Sequence, residues 1–149
     1  MSMGAWLLTA AGSLSALVAL LHLAIVVAGR GYRYFGGRKL GDLAASGSPV
    51  PALLTLGITV VFAVFALYAF SGAGRIPRLP LLRTGLVAIG VIYILRGLQL
   101  VPELVLRFRA PSVMPVRVVA FSAVSLTIGV LYAASVVGAW TALGMTRPR

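Results

Sequence analysis

Ile94-Leu95-Arg96-Gly97-Leu98-Gln99-Leu100-Val101-Pro102-Glu103 is the stretch on which the reading of this chain turns. It lies toward the end of an apolar run from Leu81 to about Val105. That run is long enough to cross a bilayer, whose hydrocarbon core takes about 20 helical residues. Yet it holds an arginine, an amide, a proline and one of only two acidic residues in the protein. Such groups are costly at membrane depth and turn toward a protein interior or a wet cavity. The stretch therefore marks a polar centre around which other hydrophobic segments are arranged.

Three more runs of spanning length flank it, so the expected spans are about 5–28, 52–70, 81–105 and 118–143. Membrane β-strands would need short alternating segments, which are absent. Helices satisfy their own backbone without water. The expectation is an all-α polytopic membrane protein, a single domain of four transmembrane helices with both termini on one side. The composition agrees. Of 149 residues, 60% are hydrophobic and 10% charged, against roughly 25% charged in soluble domains. There is no cysteine, which excludes thiolate and iron–sulfur chemistry for this chain. Residues 1–5 carry no basic side chain, and the run after them is longer than a signal core, so a retained span is expected.

The net charge is +11. The basic residues stand in short loops between apolar runs, a membrane-flanking pattern that argues against nucleic acid. Arg30, Arg33, Arg38, Lys39, Arg107, Arg109 and Arg117 fall on one side; Arg75, Arg78, Arg83, Arg147 and Arg149 fall on the other. The first span has no cation before it and four just after. The positive-inside rule then places the 29–51 and 106–117 loops in the cytoplasm. In the first of these loops, Arg30, Arg33, Tyr34, Arg38 and Lys39 are candidate headgroup contacts, cations toward phosphate and rings at the boundary. Leu40–Ala45 can form one interfacial helical turn. Small residues at a spacing of four, Ser125/Gly129/Ala133 and Gly12/Ala16, allow close helix approach.

Arg96, Gln99 and Glu103 share one helical face, which Ile92, Ile89 and Gly85 continue. At comparable depth the other spans bring His22, Thr55, Thr59, Ser122 and Ser125. His22, Arg96, Gln99, Glu103, Thr55, Thr59 and Ser122 are thus the candidate ligand contacts, with Arg96 fixing an anionic or polar head. Pro102 is expected to kink or end the third helix. Arg107, four residues after Glu103, makes that carboxylate a boundary residue. His22 alternatively serves an interhelical hydrogen bond. One His offers one ligand, so no metal or other cofactor is expected. No catalytic residues are assigned, because there is no acid pair within a span, no nucleophile in context and no phosphate loop.

His22 in the first span, the following Tyr34-Phe35-Gly36 and the four-span layout resemble small four-helix bacterial membrane proteins of the DoxX-like kind. The resemblance implies a four-helix bundle and little about function. Val26 and Val27 stand where some such families place an acidic residue after the His. The expected function is non-enzymatic: binding or transport of a lipid or small amphiphile in a bacterial cytoplasmic membrane. The expected partners are membrane lipids and a small hydrophobic ligand, with self-association left open. The alternatives are a structural or assembly subunit, and an intramembrane isomerase or oxidoreductase using His22 and Glu103.

Overall fold

Apolar runs that cannot reach water close their backbone hydrogen bonds internally, and these do. The computed structural model describes residues 2–29, 31–140 and 143, and among them the structure is all-helical with no strand. The helices are α1 (Met3–Ala28), α2 (Tyr32–Phe35), α3 (Gly37–Ala45), α4 (Val50–Gly72), α5 (Leu82–Leu98), α6 (Leu100–Arg109) and α7 (Val116–Gly138). Four segments are long and apolar enough to cross a membrane: α1, α4, α5 with α6, and α7. Only 22–28% of the most apolar window of each is buried, so most of these side chains face outward. Leu17, Leu20, Val60 and Leu95 are each 56–61% exposed. Water would penalise such surface at about 25 cal/mol per Å². Lipid does not, and the four helices mark a membrane-embedded protein.

The third span departs from expectation in a useful way. Its break is at Gln99, not at Pro102. Pro102 falls in the first turn of α6, where a missing N–H leaves no intrahelical bond unmade. The fourth span begins at Val116, after Pro115 in an extended conformation, and its continuous helix ends at Gly138. Leu143, its expected end, is helical and buried, while Thr141 and Ala142 lie outside the described residues.

By compactness the chain forms two units, Ser13–Ala66, and Met1–Gly12 with Leu67–Arg149. In the second of these, α5 packs on α7 through glycines. A Cβ at Gly97 would stand 2.5 Å from Leu126 Cα, and one at Gly129 would stand 2.8 Å from the Ile94 backbone nitrogen. The expected small-residue seam on the fourth span is therefore an intrachain contact. The Tyr93 and Tyr132 rings stack beside it at 5.8 Å. Leu82, Leu86, Ile89 and Tyr93 form the buried face of α5; Ile92, expected on that face, is 51% exposed. Ser71 fixes the 73–81 turn, donating to the Pro77 carbonyl (3.0 Å) and accepting from the Leu79 N–H (2.9 Å). Tyr68 lies against Gly85 and donates to the Pro80 carbonyl at 3.2 Å.

In the Ser13–Ala66 unit, the long first loop is folded well beyond the single turn expected over Leu40–Ala45. Gly31, at φ 96°, takes the left-handed conformation that opens α2 and that side chains resist. A Cβ at Gly41 would stand 2.9 Å from Arg33 Cα, so glycine lets α3 approach α2. Arg33 and Asp42 pair across this contact at 3.5 Å, both well exposed. Ser48 accepts the Val50 N–H at the start of α4, whose first turn buries Pro51.

Candidate functional site

The seven residues expected to share a polar layer divide between the units: His22, Thr55 and Thr59 in one, Arg96, Gln99, Glu103 and Ser122 in the other. Each unit has a polar centre of its own.

Around Arg96, α5 sends the guanidinium toward α7 and α6. Its Nη1 donates to Ser122 Oγ at 2.6 Å and to Gln99 Oε1 at 2.9 Å. Glu103 Oε1 stands 3.8 Å from the same nitrogen. Ser122 is fully buried and Glu103 is 8% exposed, while the Arg96 side chain keeps 41% of its surface. Glu103 thus pairs with Arg96 rather than with Arg107. Arg107 turns away and donates to the Pro111 carbonyl at 2.6 Å. Glu103 instead faces back two turns to Arg96, on a helix that packs against α7. Its Oε2 is buried and accepts no hydrogen bond among the described residues. A charge-assisted hydrogen bond thus joins α5 to α7, and a looser ion pair joins α5 to α6. Its remaining donors, Arg96 Nε and Nη2, form no hydrogen bond with the described residues.

Around His22 there is a cavity of about 130 Å³, lined by residues of α1, α2, α3 and α4. His22 and Ile25 come from α1, Tyr32 and Phe35 from α2, Leu40 from α3, Thr55 and Ile58 from α4. Ile25, Tyr32 and Thr55 are each 6–7% exposed. His22 Nδ1 lies 2.7 Å from the Val18 carbonyl, so its bond is to its own helix rather than to another. The ring is braced by Phe62 at 5.3 Å between centroids. Thr55 Oγ1 donates to the Pro51 carbonyl at 2.7 Å. Thr59 Oγ1 donates to the Thr55 carbonyl at 2.9 Å and lies outside the lining.

Comparison with protein-family models, with curated proteins and with solved structures gives no match for this chain. The site must therefore be read from its own chemistry. Among the described residues no cluster of His, Asp and Glu has the makings of a metal centre.

Of the expected ligand contacts, the structure brings His22 together with Thr55, and Arg96 together with Gln99, Glu103 and Ser122. Of the expected headgroup contacts, Arg33, Tyr34, Arg38 and Lys39 are all exposed on α2 and α3. Arg30 lies outside the described residues. Sequence reasoning missed Ile25, Tyr32, Phe35, Leu40 and Ile58. The available signal was the interleaving of rings with cations in the first loop, which read as a headgroup-contacting loop and hid that Tyr32 and Phe35 line a pocket.

Proposed function

We propose that this protein binds or transports a lipid or small amphiphile within the membrane. The observation that carries the reading is the His22 pocket: four helices converge on it, its wall is mostly apolar, and its few polar groups fix orientation. Small-molecule sites are commonly concave and mainly apolar with a few placed polar groups, and at about 130 Å³ this one seats only part of an amphiphile. Arg33, Arg38 and Lys39 on the neighbouring α2 and α3 suit anionic headgroups, and the apolar body of a ligand continues into lipid. The half-exposed Arg96 guanidinium is a further anchor for an anionic or polar head. The bacterial cytoplasmic membrane is the proposed home. Four spans would leave both termini on one side, and the basic loops 29–51 and 106–117 in the cytoplasm.

The test is native mass spectrometry of the purified protein. A retained amphiphile should be lost in Ile25→Phe, which fills the pocket, while the variant keeps its helical content. Retention unchanged in a folded Ile25→Phe would sink the reading. The second reading, a structural subunit, is favoured by one observation: Arg96 is already held by Ser122, Gln99 and Glu103. If Arg96→Ala unfolds the protein without a pocket-specific loss of ligand, that cluster serves packing.

A further inference from the structure

We infer that the His22 pocket selects a neutral hydroxyl group, the head of an alcohol or phenol, over carbonyls, anions and ammonium groups. This rests on the pocket being a ligand site, as proposed above. The first observation is the partner of His22. A backbone carbonyl only accepts, so the 2.7 Å contact with Val18 requires Nδ1 to carry the proton. In the neutral ring Nε2 is then a bare acceptor. It forms no hydrogen bond with the described residues.

The second observation is Thr55. Its hydroxyl proton is committed to the Pro51 carbonyl, 2.7 Å away, so toward the pocket Oγ1 offers lone pairs only. A carbonyl has only the Tyr32 hydroxyl to accept from and leaves both acceptors unmet, whereas a hydroxyl can meet a donor and an acceptor at once. An anion meets no fixed cation, since no Lys or Arg lines the cavity, and an ammonium meets no carboxylate. Either ion would be stripped of water without a partner. A hydroxyl avoids each of these conflicts, donating its proton to His22 Nε2. Its oxygen is left to accept from Tyr32, whose hydroxyl can donate or accept and has no hydrogen bond with the described residues. Size agrees: about 130 Å³ is close to cavities that hold one benzene ring, roughly 150 Å³.

His22 is the sole histidine, so [15N]histidine labelling gives one imidazole to observe. The purified protein is titrated with 4-fluorophenol, 4-fluoroanisole and 4-fluorobenzoate, read by fluorine and nitrogen resonances. The expected result is a protonated Nδ1, an Nε2 resonance shifted by the phenol, and binding of the phenol about five- to tenfold tighter than the anisole, one neutral hydrogen bond's worth. The benzoate should bind weakest. In His22→Leu the phenol and the anisole should bind equally. Equal binding of phenol and anisole to the unaltered protein, an unmoved Nε2, or preference for benzoate overturns the hydroxyl inference and leaves the pocket standing. Failure of all three probes to bind overturns the pocket and the inference together. The measurement on the unaltered protein decides the matter even if the variant does not fold.

Discussion

Arg96 and Glu103 show how a single side chain is placed by what covers it. Their spacing of seven residues put both on one face, which was legible. The competing partner for Glu103 was Arg107, at a spacing of four, equally sound as helix geometry. In the folded chain Glu103 is buried beside Arg96, while Arg107 is satisfied by the Pro111 carbonyl. Removing one member of a shielded pair costs more than removing both, because a lone buried charge remains. Arg96→Leu should therefore destabilise the protein by about 1–3 kcal/mol, discounted for the exposure of the guanidinium. Adding Glu103→Leu should recover part of that loss. Unfolding midpoints in detergent for Arg96→Leu, Glu103→Leu and the double variant close the cycle; strictly additive shifts would show that the two groups do not interact.

At the scale of elements, glycines decide which helices can touch. Gly97 and Gly129 admit backbone approaches that a Cβ would block, whereas a Cβ at Gly57 on α4 would meet nothing within 4 Å. Gly97→Ala should cost about 1–3 kcal/mol through overpacking of α5 on α7. Gly57→Ala should raise stability by about 0.5–1 kcal/mol through backbone entropy. A thermal-unfolding series containing both would refute this packing if the two shifts had the same sign. The α2–α3 segment is the other decisive element. Its cations Arg38 and Lys39 are exposed, and each cation near an anionic surface is worth about 1 kcal/mol. Arg38→Ala with Lys39→Ala should thin the anionic lipids that survive purification, counted by native mass spectrometry, and leave the pocket's ligand in place.

For the whole molecule, the proposed topology is open to a clean test because the natural chain has no cysteine. Single cysteines at Ser46 and Ser112 should react with a membrane-impermeant thiol reagent only after cells are opened. Those at Ser2 and Ala73 should react in intact cells. Labelling of Ser46→Cys and Ala73→Cys from the same side would break the four-crossing arrangement. The expected polar layer drew on all four spans, and depth along a span is readable from sequence. Which side chains meet is not, because facing is set by contacts between residues far apart in the chain.

Sequence alone determined that this protein is helical and membrane-embedded, because long apolar runs leave the backbone no other partner than itself. It also determined that His22 and Thr55, Arg96 and Glu103 needed polar surroundings. Tertiary structure alone decided which surroundings those are. Tyr32 and Phe35 reach the pocket from a helix of four residues, too short to carry a readable period. The burial of Glu103 on α6, after the break at Gln99, came with Arg96 as its partner. The Val18 carbonyl, one turn back on His22's own helix, fixed which ring nitrogen carries the proton.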